Sequence, residues 1–233
     1  HYSISYSTGV LSITKAPLTA KVENTSKEYG SSNPSFCMEF VGLKNGEKTP
    51  VWSSSPSYTT SATIKSSVGE YEISAKATPK NYELSEISSG ILKITKAPLT
   101  LQANDLSKTY YSENPELTYI CNGLKYWDDI SVLTVGPILS TNAKKESNAG
   151  IYEITIKGAS AKNYVITYKD GHMTVQKRPL YVSVGNYERN YGEENPEFTI
   201  EYEGFVGADN YKSIDTEPYA YTSASKNTNV GTY

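Results

Sequence analysis

One pentapeptide sets the frame for the whole chain. Lys15-Ala16-Pro17-Leu18-Thr19 recurs as Lys96-Ala97-Pro98-Leu99-Thr100 and, altered, as Lys177-Arg178-Pro179-Leu180-Tyr181, a step of 81 residues each time. The same step carries Tyr29 to Tyr110 and Tyr191, and Asn33-Pro34 to Asn114-Pro115 and Asn195-Pro196. It also carries Gly42 to Gly123 and Gly204, Pro56 to Pro137 and Pro218, and Gly69-x-Tyr71 to Gly150-x-Tyr152 and Gly231-x-Tyr233. A chain that repeats at this period folds as a row of small modules rather than around one large core. The expected division is a closing hairpin of a preceding repeat at 1–15, complete repeats at 16–96 and 97–177, and an incomplete repeat at 178–233. The chain thus starts and stops inside a repeat.

Within each repeat the apolar residues alternate with period two, the mark of half-buried strands. Leu18, Ala20 and Val22 form one such run, Phe36, Met38 and Phe40 a second, Tyr71, Ile73 and Ala75 a third, and Leu92 and Ile94 a fourth, each echoed in the next repeat. Weaker strand segments lie near Val51-Trp52 and Thr134-Val135. The 21 tyrosines against 4 phenylalanines suit thin sheets, since a tyrosine buries its ring and keeps its hydroxyl wet. Only residues 127–133 offer a helical candidate, of at most two turns. The fold class expected is all-β: small immunoglobulin-like β-sandwich modules in an elongated tandem array, with no Gly/Ser linker between repeats. A β-grasp-like sheet over one short helix is the alternative. The hairpin that closes each repeat differs in length by one residue, because Asn81 and Asn163 are 82 apart whereas Gly90 and Gly171 are 81 apart.

The motif order is Pro-Leu-Thr, Tyr-Gly-x-x-Asn-Pro, Gly-Phe/Leu, Gly-x-Tyr, Asn-Tyr, Gly-x-Leu-x-Ile. It resembles the bacterial MBG domain of YGX type across essentially the whole chain. Tyr-Gly stands as Tyr29-Gly30 and Tyr191-Gly192, and the middle repeat departs with Tyr110-Tyr111, which speaks against a tight glycine turn there. The resemblance implies tandem arrays in large secreted or surface proteins, often of gut Bacteroidetes, used as adhesin stalks. It implies no catalytic residues.

Few residues offer chemistry. His1 and His172 are the only histidines, and neither belongs to a His–carboxylate–nucleophile set. Cys37 is expected outward and Cys121 inward, without CxxC spacing for zinc and too unlike in repeat position to bridge. Asp128-Asp129, Glu193-Glu194 and Asp209 lack the spacing of a calcium loop. No cofactor, metal or enzymatic activity is expected. The net charge of −3 and the lack of a basic stripe argue against nucleic acid, and no apolar run is long enough to span a membrane. Six aromatics fall outside the strict repeat positions and are candidate ligand contacts: Trp52, Tyr126, Trp127, Tyr187, Tyr211 and Tyr221. The functional expectation is an extracellular or cell-surface spacer or adhesin stalk. The alternatives are a module binding host glycan or extracellular matrix protein, or an accessory region of a surface enzyme. Open strand edges at the chain ends are expected to pair between molecules or to fray.

Overall fold

A computed structural model describes residues 1–125 and 127–233. The first repeat contains seven strands: β1 (Ala16–Val22), β2 (Thr25–Glu28), β3 (Met38–Val41), β4 (Trp52–Thr59), β5 (Gly69–Pro79), β6 (Tyr82–Ser88) and β7 (Gly90–Thr95). They form two sheets, of order β3-β1-β6 and β2-β7-β5-β4. The second repeat contains β8 (Ala97–Ala103), β9 (Leu106–Thr109), β10 (Tyr119–Asn122), β11 (Leu133–Val135), β12 (Ile138–Thr141), β13 (Gly150–Lys157), β14 (Ser160–Ala161), β15 (Tyr164–Lys169) and β16 (Gly171–Gln176). Its sheets run β10-β8-β15 and β12-β13-β16-β9, with β11 and β14 as a further pair. The third repeat forms β17 (Tyr181–Val184) and β18 (Ile200–Glu203), an antiparallel pair. The chain is all-β, as the alternation predicts.

The core follows from that alternation. Leu18, Ala20 and Val22 of β1, Ile73 of β5, and Leu92 and Ile94 of β7 are buried, and Leu99, Leu101, Ala103, Ile154, Met173 and Val175 repeat the pattern. Each complete repeat is built on two chain runs that pass from one sheet to the other. β1 continues into β2, β6 continues into β7, and β6 and β7 pair parallel with β1 and β2 respectively. Where the runs cross, Gly90 lies so close that a Cβ on it would meet the Val22 carbonyl oxygen at 2.7 Å. Gly171 meets Ala103 at the same distance. The amide of the next residue is held by a side chain across the gap, Ile91 by Asn24 and His172 by Asp105.

Several expectations are corrected. The helical candidate at 127–133 is one 3-10 turn, Ile130–Val132, whose entry is capped by the Asp129 carboxylate accepting from Ser131 N–H at 2.8 Å. Three residues cannot sustain more without an apolar face to bury. No α-helix occurs among the described residues, which removes the β-grasp alternative. Residues 1–15 form no strand and are exposed. In the complete repeats the matching segment pairs with β1, β2 and β5 or their counterparts, and residues 1–15 contain none of these. Gly231-x-Tyr233 likewise forms no strand. Tyr111 keeps the left-handed turn of its glycine counterpart, at φ 65°. Cys37 is exposed and Cys121 half-buried, and both are free thiols.

By its internal contacts the chain divides into two compact units. One comprises His1–Leu101, Cys121–Ile138 and Lys157–Tyr168, and the other Gln102–Ile120, Leu139–Ile156 and Lys169–Tyr233. The division therefore runs through the second repeat.

Candidate functional site at the repeat joints

The recurring motif residues first secure each repeat internally. Gly42, Gly123 and Gly204 take φ of 106° to 119°, and a Cβ there would meet the carbonyl oxygen of Pro17, Pro98 or Pro179 within 2.9 Å. Asn33, Asn114 and Asn195 donate from Nδ2 to the carbonyls of Ala62, Ala143 and Ala224 at 2.7–2.8 Å. Lys27 is buried, and its Nζ donates to Ser31 O at 2.9 Å and Thr63 O at 2.7 Å. Burial lowers the pKa of this ammonium from its ordinary value. Lys108 repeats the arrangement, and Arg189 reaches Ser225 O at 2.6 Å in the third repeat. The Gly-x-Tyr motif is a tyrosine corner in which Tyr71, Tyr152 and Tyr233 donate to the backbone carbonyl four residues upstream.

Tyr29 does something else. Its ring is buried against the second repeat, 5.5 Å from Tyr164 and 6.5 Å from Trp127, edge-on to both. Its hydroxyl donates to Asp128 Oδ1 at 3.4 Å and accepts from Trp127 Nε1 at 3.3 Å. Tyr164, also buried, donates to the other carboxylate oxygen of Asp128 and accepts from Lys125 N–H at 3.1 Å. One carboxylate thus takes a phenol from each of two successive repeats. Burial, then the bond to Asp128, raises the Tyr164 phenol well above its usual range. Around this centre Lys125 pairs with Glu28 at 3.0 Å and its stem covers Gly30. Lys65 lies 5.8 Å from the centre of the Trp127 ring, and Val68 N–H donates to Asn163 Oδ1 at 3.1 Å.

The equivalent place after the second repeat keeps the phenol–carboxylate pair and exchanges its surroundings. Tyr110 faces the Asp209 carboxylate, and hydrogen bonding to it is the main cause raising its phenol pKa. Tyr111, standing where the first repeat has Gly30, packs on Gly207 so closely that a Cβ there would meet its ring at 2.7 Å. Lys145 Nζ lies 5.2 Å from the centre of the Tyr111 ring while pairing with Glu113 at 2.9 Å. The joint chemistry is therefore fixed (tyrosine from one repeat, carboxylate from the next) and its packing is individual.

The predicted aromatics fall in different places. Trp127 is part of the joint. Trp52 is half-buried on β4, its ring 5.7 Å from Phe40. Tyr187 stacks edge-on with Phe198 at 5.2 Å and shares a hydrogen bond with Thr199. Tyr211 opens a 3-10 turn, Tyr211–Ser213, and Tyr221 lies exposed beside Tyr219. Tyr126 lies outside the described residues. A shallow groove of about 360 Å³ between β4, β5 and β6 is lined by Ser54, Ser57, Lys76, Thr78, Ser85 and Glu86 among others, with no aromatic side chain. Sequence reasoning passed over Tyr29, Lys125 and Tyr164, and read Asp128 and Asp209 only as calcium candidates. The available signal was that Glu47, Asp128 and Asp209 also keep the 81-residue step.

The family model for the MBG domain (YGX type) matches residues 18–93, 99–174 and 180–233. This chain belongs to that family. The MBG matches begin at Leu18, Leu99 and Leu180, the same repeat position each time. No curated protein sequence matches the chain. Among solved structures, that of Yersinia pseudotuberculosis InvD aligns over 83% of this chain and 70% of its own, with 12% identity and a TM-score of 0.25. A likeness at that score carries no argument for the MBG repeats.

Proposed function

We propose that these MBG repeats are a non-catalytic spacer or adhesin stalk in an extracellular surface protein, bacterial and of the kind the resemblance associates with gut Bacteroidetes. The observation that carries this reading is the joint. The same tyrosine and the same acid recur at the same repeat positions, and they are used to join one repeat to the next rather than to line a cavity. Burying an aromatic pair and a shared carboxylate at a joint limits bending, which a spacer needs and an isolated binding domain does not. The test is a series with one, two and three repeats measured by small-angle scattering. A spacer gives a maximum dimension that grows by a constant increment per repeat. A dimension that stays flat as repeats are added rules it out.

A second reading, binding of host glycan or matrix protein, is favoured by one feature. Tyr219 and Tyr221 are 82% and 81% exposed, with rings 5.8 Å apart and inclined by 33°. Exposed aromatic faces of this kind stack on sugar rings and anchor protein partners. A glycan and matrix array probed with the whole chain and with Tyr221→Ala separates the readings. Binding that is lost in the variant supports the binder, and no binding by either leaves the spacer.

A further inference from the structure

The two joints share a tyrosine and a carboxylate, and the residues around that pair change on both sides at once. In the first joint Glu28 supplies the anion for Lys125, and Lys65 lies on the Trp127 ring. Gly30 leaves room for the Lys125 stem, which a Cβ there would meet at 2.6 Å. One repeat on, the positions of Glu28, Gly30 and Lys65 hold Thr109, Tyr111 and Glu146, and those of Lys125 and Trp127 hold Val206 and Ala208. The carboxylate and its ammonium partner thus disappear together, and so do the second ammonium and its indole. Bulk changes sides as well. In the first joint a long side chain of the downstream repeat covers a glycine of the upstream one, Lys125 over Gly30. In the second joint a ring of the upstream repeat covers a glycine of the downstream one, Tyr111 over Gly207. Tyr111 takes φ 65° to do so, a conformation that costs a bulky residue backbone strain.

We propose that these residues fix the order of the repeats. The face of the first repeat around Tyr29 accepts the loop at 125–128 of the second, the face of the second around Tyr110 accepts the loop at 206–209 of the third, and neither face accepts the other's loop. Set against Glu28, Gly30 and Lys65, the loop at 206–209 leaves a carboxylate without a cation, an ammonium without a ring, and a glycine with only Val206 to cover it. Set against Tyr111, the loop at 125–128 drives the Lys125 stem into the ring. Selectivity arises from such misfits with the wrong partner as much as from fit with the right one. A tandem array needs it, because similar neighbours mispair as they fold. The inference rests on the geometry of the joints and holds whether the array is a spacer or a binder.

A double-mutant cycle in the full chain tests it, read by thermal unfolding. Asn45 is the first repeat's counterpart of Gly207, and it takes φ 56° where Gly207 takes 61°. Gly207→Asn therefore gives the third repeat the first repeat's residue without a new backbone conformation. Tyr111→Gly gives the second repeat the residue of the other two. The expected result is that Gly207→Asn lowers the midpoint of the wild type and leaves that of the Tyr111→Gly chain where it was. A purely local cost at residue 207 would be the same in both backgrounds, so only a misfit between the two side chains makes the cycle non-additive. The first joint supplies the mirror cycle. Gly30→Asn lowers the midpoint of the wild type and not that of Lys125→Val, which carries the third repeat's residue. A Gly207→Asn or Gly30→Asn that is harmless in the wild type, or that costs as much with its partner removed as with it present, overturns the proposal.

Discussion

A single carboxylate, Asp128, accepts from Tyr29 and from Tyr164, so the joint's stability turns on two hydroxyl groups. Tyr164→Phe removes one of them and also strands the Lys125 amide that Tyr164 accepts from. The expected loss is about 1–2 kcal/mol, measured by denaturant unfolding. The same phenol sets a pH limit. Its folded-state pKa is raised above the ordinary value of about 10. Folding therefore favours the neutral form, and the contribution is whole below pH ~10 and is lost as pH climbs through the raised value. The wild type should lose stability on that alkaline limb, and Tyr164→Phe should lose less. Equal alkaline losses in both proteins would assign the limb to other groups. Lys27 supplies a third test. Lys27→Met leaves the carbonyls of Ser31 and Thr63 without their donor, and about 1–3 kcal/mol is expected to disappear in the same measurement.

The strands were legible because alternation survives in each repeat, and the joint was not because its residues come from different repeats. Ala20 and Val22 announce their burial by spacing alone. Tyr29 and Asp128 each keep the 81-residue step, but their pairing is seen only when the fold places them together, 99 residues apart in sequence. The one-residue length change shows the same limit. The sequence locates it inside the closing hairpin, and the structure resolves it into two compensating irregularities. In the first repeat β6 carries a bulge opposite Leu18/Thr19, where Ser85 is left out of register and donates to Leu18 O at 3.5 Å. In the second repeat the extra residue comes earlier, where Gly158, at φ 84°, separates β13 from β14. A bulge residue can be removed without turning its neighbours over, whereas a paired residue cannot. Deleting Ser85 should leave Tyr82, Leu84 and Ile87 on their present faces and cost less than deleting Glu83, which shifts Leu84 to the wrong face. Thermal midpoints of the two deletions decide this, and equal destabilisation would mean that the bulge is itself required.

For the molecule as a whole, what matters is whether neighbouring repeats unfold together. In a linear array, stability is a sum of the stability of each repeat and a coupling across each joint. The first joint buries Tyr29 among Tyr164, Trp127 and Asp128, so its coupling is comparable to the loss expected on deleting a buried aromatic side chain, about 3–5 kcal/mol. Coupling of that size makes the first repeat and the sheet β10-β8-β15 melt as one. Tyr29→Ala should therefore do more than lower a midpoint. It should separate the first repeat from the rest, so that a calorimetric peak shared in the wild type becomes two. Tyr191→Ala, made at the equivalent but exposed position, should leave the profile unchanged. If Tyr29→Ala lowers the midpoint and the peak stays single, the ring stabilises its own repeat and the repeats are coupled elsewhere, along the continuous strand path from β7 through Lys96 into β8.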